Sequence, residues 1–216
     1  MMDLGGRGEN VEKERMEHAP GIMISVSKKE PEAGFFRDLG LWCETRTPWP
    51  RILFLLWAVF VGFEFFKDPG YVSIIYWLDF GIHEMGHVLT RPFLPHFIYV
   101  AAGTLVQIGV PIGAIIMFRR QDDLFAAYPF CAIWIATNLY YTSWYVADAR
   151  SGFIPSAPIF GEPTTSDWAY MLGRLKIMDW DKGIATALQV LAFPLMWGGI
   201  GLGTWMVYRM IRAEKF

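Results

Sequence analysis

The sequence predicts an all-α fold, a polytopic transmembrane helix bundle of about five spans with a polar N-terminal arm. Three observations carry that expectation. Hydrophobic residues make up 54% of the chain and charged residues 19%, mean hydropathy is +0.29, and the apolar residues gather into five long stretches separated by polar turns. Ten Trp and nine Tyr suit an interfacial aromatic belt better than a soluble core.

Residues 1–50 form the arm: they are polar and charged and contain no apolar run of the signal-peptide kind. Residues 51–147 hold four expected spans, at 52–66, 71–93, 97–118 and 124–147. The first is short but extends through Trp49 and Lys67 toward the roughly 20 residues that a bilayer core requires. Residues 148–183 read as a polar loop rich in Pro, Gly and Ser, with an amphipathic piece around 168–178. A fifth span lies within 184–212 and ends in basic residues. Its Gly199-Ile200-Gly201-Leu202-Gly203 run permits close approach of a neighbouring helix, and Pro194 loosens the helix just before it.

These features predict a multi-pass protein of a bacterial-type inner membrane, with lipid as its first partner. The basic arm favours a cytoplasmic N-terminus, although five crossings then carry the basic C-terminus to the other side. A net charge of −2 gives no ground for nucleic-acid binding. Cys43 and Cys131 are far apart in sequence and read as two free thiols.

The chemistry concentrates in His83-Glu84-Met85-Gly86-His87, within the second apolar stretch. Residues four apart share a helix face, so two imidazoles there can grip one metal ion while Glu84 stays free to act as a base. An ionisable group at mid-membrane costs roughly 2.5–3.5 kcal/mol on insertion scales, and such groups usually mark a site. Asp79 lies one turn before His83 and is expected either to accept a hydrogen bond that fixes the His83 tautomer or, equally, to bond a neighbouring span. A zinc site built for hydrolysis needs a third protein ligand and an open position. Asn138, Tyr141, Tyr145 and Asp148 form a polar stripe on the fourth span, which should run in the same direction as the second. Comparing depths makes Asp148 the first candidate for the third ligand. Asp167 is the alternative if the polar loop folds back over the site, although Ser166-Asp167 before an apolar run also reads as a helix cap. On the returning third span, Gln107 falls near the level of His83, where it can orient a ligand or hold a substrate carbonyl. Asn138 and Tyr145 are further candidates for a supporting or substrate-contacting role.

An HExxH motif in a membrane span, followed by spans bearing polar residues, resembles the site-2-protease-like integral membrane metalloproteases. The resemblance implies one zinc ion held by His83, His87 and a distant aspartate, with Glu84 as general base in intramembrane proteolysis. The family's second signature, Asn-Pro followed by Asp-Gly, has no match; the nearest positions are Asn138-Leu139 and Val146-Ala147-Asp148-Ala149. The expected function is therefore a membrane-embedded zinc-dependent peptidase acting on transmembrane or juxtamembrane segments. The alternative is a non-catalytic accessory subunit of a larger respiratory or photosynthetic assembly. Proton conduction along the Asp79–His87 stripe is a third use of the same residues.

Overall fold

Pro48 and Pro50 bracket the start of the first long helix, where a missing N–H costs nothing because first-turn donors have no intrahelical partner. In the computed structural model, which describes residues 34–154 and 166–214, the apolar stretches become seven α-helices, and no strand occurs among the described residues. They are α1 (Phe35–Cys43), α2 (Trp49–Lys67), α3 (Tyr76–Thr90), α4 (His96–Arg120), α5 (Cys131–Ala147), α6 (Asp167–Leu175) and α7 (Asp181–Ala213). A π-helical turn at Ala126–Phe130 leads into α5, and a 3-10 turn at Met178–Trp180 leads into α7. Pro129, which has no N–H to donate, sits inside the π turn.

Among the described residues, three helices are long and apolar enough to cross a membrane: α2, α4, and α7 with its leading turn. Helix α3, at 15 residues, spans only about 22 Å, short of a hydrocarbon core of about 30 Å. Of the expected N-terminal arm, residues 1–33 lie outside the described residues. Its remainder differs from a free tail, because α1 buries Leu39, Trp42 and Cys43 in a cluster with Leu55, Phe125, Met206 and Met210. In the expected loop, residues 155–165 are likewise outside the described part, and the amphipathic piece is α6. Both cysteines are free and buried.

Side-chain pairings fix the helix directions. Phe54 meets Phe130 and Phe65 stacks on Tyr140, so α2 and α5 run parallel. Helix α7 runs against both, with Gly62 beside Met196 and Ile200, Leu55 beside Gly203, and Ile133 beside Gly199. Gly199 and Gly203 allow this approach, since a Cβ would stand 2.9 Å from Ile133 Cγ1 at the first and 2.8 Å from Leu55 Cδ2 at the second. Helix α4 also descends against α5: Phe118 packs on Phe130, while Gln107 and Tyr145 both adjoin His83. The core between these helices is built from Ala58, Val61, Phe65, Ile133, Ala136, Tyr140, Ala192 and Met196.

Helix α3 departs from simple alternation. His83 pairs with Gln107 and His87 with Tyr99, so α3 is antiparallel to α4 and therefore parallel to α2, the helix before it. Residues 68–75 must then lead back down beside α2 before α3 can rise. Asp79, in the first turn of α3, bonds Trp134 and Asn138 in the first half of α5, which places the start of α3 partway along the bundle. The non-helical stretch is held by protein groups. Ser73 N–H donates to Tyr141 Oη at 3.3 Å, the Ser73 and Tyr141 hydroxyls share a second hydrogen bond, and Gly70 N–H donates to Asp68 Oδ1 at 2.8 Å.

Candidate metal centre

Two glycines bring α3 and α4 into contact where the histidines lie. A Cβ on Gly86 would stand 2.6 Å from the Ala102 carbonyl oxygen and 3.0 Å from Gly103 Cα, so only glycine permits this backbone approach. Across the contact, the helical spacing of four turns His83 and His87 to the same side, and both side chains are buried. Their Nε2 atoms stand 3.1 Å apart. Asp167 Oδ2, from the first residue of α6, lies 3.0 Å from His83 Nε2 and 3.1 Å from His87 Nε2.

The carboxylate that joins the histidine pair is thus Asp167, not Asp148. Asp148 is drawn into its own turn: Oδ1 accepts from Ser151 Oγ at 2.7 Å and Phe153 N–H at 2.9 Å, and Oδ2 accepts from Ile154 N–H at 2.8 Å. Burial pushes the Asp148 carboxyl up, but these donors and the Lys182 charge outweigh it and hold the group below the usual carboxylate range. Asp167 reaches the site because α6 folds back over the bundle. Its backbone N–H donates to Tyr145 Oη at 3.1 Å, and Tyr170 packs edge-on against His96 at the start of α4. Leu172 is buried with Val146, Ala149 and Ala185. Ser166 takes the N-cap position without a side-chain cap bond, and the Asp167 carboxylate next to it turns toward the imidazoles.

The ring orientations fit a cation. His87 Nδ1 lies 3.0 Å from the Tyr99 carbonyl oxygen, which can only accept, so Nδ1 carries the proton and Nε2 of the neutral ring presents its lone pair. His83 Nδ1 lies 2.9 Å from Gln107 Oε1, which fixes the same tautomer. Three acceptor atoms then converge within 3.1 Å of one another, and either a cation or extra protons must stand between them. Ligand atoms of a tetrahedral zinc with bonds of about 2.0–2.1 Å stand about 3.3 Å apart, within a few tenths of an ångström of this triangle. Gly103 supplies the space. A Cβ there would lie 2.5 Å from His87 Nε2 and 2.6 Å from His83 Nε2, inside the gap where these residues would hold an ion. His83, His87 and Asp167 therefore form a buried group able to hold a metal ion.

The other sequence candidates divide between the site and its scaffold. Glu84, partly buried, lies within electrostatic range of His83, His87 and Asp167. Gln107 supports His83 directly, and Tyr145 lies beside the His83 ring at 6.0 Å between centroids. Of the two roles expected for Asp79, the structure shows the bond to a neighbouring helix and not the one to His83: it accepts from Trp134 Nε1 at 2.7 Å and Asn138 Nδ2 at 3.3 Å, tying α3 to α5. Gln107 has the tautomer-fixing role. Asn138 is accordingly a scaffold residue, bonded also to the Trp134 carbonyl at 2.9 Å. Gly103 and the Tyr99 carbonyl were not anticipated. A lone glycine in an apolar helix and a backbone oxygen carry no sequence signal of their role.

No protein-family model, curated protein or solved structure matches this chain. The site's reading rests on its own geometry and on the HExxH residues.

Proposed function

We propose that the protein is a membrane-embedded, zinc-dependent hydrolase, and specifically a peptidase acting on transmembrane or juxtamembrane segments. The observation that carries this reading is the convergence of His83 Nε2, His87 Nε2 and Asp167 Oδ2, with a second carboxylate, Glu84, outside the triad but within electrostatic range of it. Two nitrogens and one oxygen match the protein ligand set of hydrolytic zinc sites, which keep one position open. Zinc bound there supplies Lewis-acid polarisation of a carbonyl and a water acidified to a pKa of about 7.

The residues around it divide the remaining work. Glu84 takes the proton from the attacking water and returns it to the departing amine. Gln107 and the Tyr99 carbonyl hold the imidazoles in the ligating tautomer, so no reorientation is needed when the ion binds. Tyr145 pins the backbone of Asp167. Gly103 leaves room between the imidazoles, and its own backbone lines that space.

The test compares wild type with Glu84→Gln, both zinc-loaded, using an unfolded membrane-anchored polypeptide as substrate. The variant should retain its zinc and lose turnover by about 10²–10⁴-fold, the usual contribution of a general base. Undiminished turnover would remove Glu84 from this role. Stoichiometric zinc with no turnover in the wild type would leave the accessory-subunit reading standing.

A further inference from the structure

We infer that the chain crosses the membrane four times, that α3 is a re-entrant helix, and that the metal centre is reached from the face opposite both described ends of the bundle. For its substrate this inference rests on the peptidase reading; for its topology it rests on helix direction alone. Helix α5 has 17 residues and reaches about 30 Å only together with the π turn Ala126–Phe130 that leads into it, and in that way it crosses beside the three longer helices. Helices α2 and α5 run one way and α4 and α7 the other, which returns the chain to its starting side. Helix α3 runs parallel to α2, so it cannot be the return crossing. Its 15 residues, beginning partway along the bundle, bring the chain back to the face from which residues 68–75 descended. Non-helical backbone survives at membrane depth only where protein satisfies it. The Ser73–Tyr141 bonds meet that condition, and Ser73 is 3% exposed.

The two faces differ in what they gather. At one end, α1, the start of α2 and the end of α7 meet the turn after α4. Trp42 Nε1 donates to the Asp122 carbonyl at 2.7 Å, Arg46 pairs with Asp122 at 2.7 Å, and Arg209 lies 3.7 Å from Glu44. At the other end, α6 closes over the histidines and Arg150 pairs with Asp181 at 2.7 Å. His87 and Asp167 belong to this second end. A substrate segment must therefore be presented at the face that carries the 90–96 turn, the turn at 148–154 and the start of α6. The class implied is a membrane-anchored polypeptide cut on the side opposite this enzyme's own described termini.

Impermeant maleimide labelling of single cysteines, in sealed vesicles holding the full chain, separates the topologies; Cys43 and Cys131 are buried and give little background. The exposed probe sites are F36C, F93C, Q121C and F153C. Four crossings put positions 36 and 121 on one face and 93 and 153 on the other. Five crossings put 36, 93 and 153 together, opposite 121, and that pattern overturns the inference. So does finding 153 on the same face as 121. In the same vesicles, EDTA added on the face of position 153 should strip zinc and EDTA on the other face should not; the reverse overturns the assigned access. None of these readouts moves with Glu84→Gln, so a failed peptidase reading and a failed topology are told apart.

Discussion

Gly103 shows how much a residue without a side chain can decide. Its missing Cβ would fall 2.5–2.6 Å from the Nε2 atoms of both imidazoles, and the nearest atoms are ring atoms fixed by Tyr99 and Gln107, not the ends of flexible chains. Gly103→Ala is therefore expected to abolish zinc binding while the helix itself gains propensity, since alanine is the better helix former by about 1 kcal/mol. Metal content by elemental analysis, together with helicity by circular dichroism, checks this. A helical, stoichiometrically zinc-loaded Gly103→Ala protein would refute the assigned space. Gly86 faces a backbone carbonyl instead, so a methyl group there must push the two helices apart.

At the scale of elements, the two aspartates of the loop region exchange the roles that sequence alone suggested. Asp148 closes the turn after α5 and Asp167 opens α6 toward the histidines. Asp148→Ala is expected to cost about 1–3 kcal/mol, the usual range for orphaned donors to a charged group, and to leave zinc content unchanged. Asp167→Ala should lose the metal. The Asp148 contribution has a definite pH dependence. Its folded-state pKa is lowered, so the contribution is complete above the unfolded value and is lost as pH falls through the folded one, below the ordinary carboxylate range. Thermal melts of wild type and Asp148→Ala should differ most near neutrality and converge in strong acid. A gap that widens on acidification would contradict this.

For the whole molecule, the candidate metal group joins pieces that are distant in the chain. His83 and His87 belong to the re-entrant α3, whereas Asp167 comes from an α6 that packs on α4, α5 and α7. A ligand bound only by the folded state stabilises it by about 2.7 kcal/mol at 100 times its dissociation constant. Zinc should accordingly raise the unfolding temperature of the wild type and leave that of Asp167→Ala unmoved. Acidification should weaken the effect, because protons compete for the same imidazole and carboxylate lone pairs. An equal zinc-induced shift in both proteins would place the ion elsewhere.

The helical class, the apolar stretches and the HExxH pair were legible in the sequence because they are local. Hydropathy acts over a window, and a spacing of four sets one helix face whatever surrounds it. Gln107 was legible for a related reason, since rise per residue sets depth along an antiparallel neighbour. Tertiary structure alone decided which carboxylate joins the histidine pair, the direction of α3 and the space left by Gly103. Asp167 is 80 residues from His87 and carries the signature of a helix cap, so its turn toward the imidazoles depends on where α6 docks. Asp79 lies on the predicted stripe, but its partner was set by which neighbour, α4 or α5, that side of α3 meets. A 23-residue apolar stretch reads as one crossing, and only the packing of Ser73 against Tyr141 divides it into a descending strand of backbone and a short rising helix.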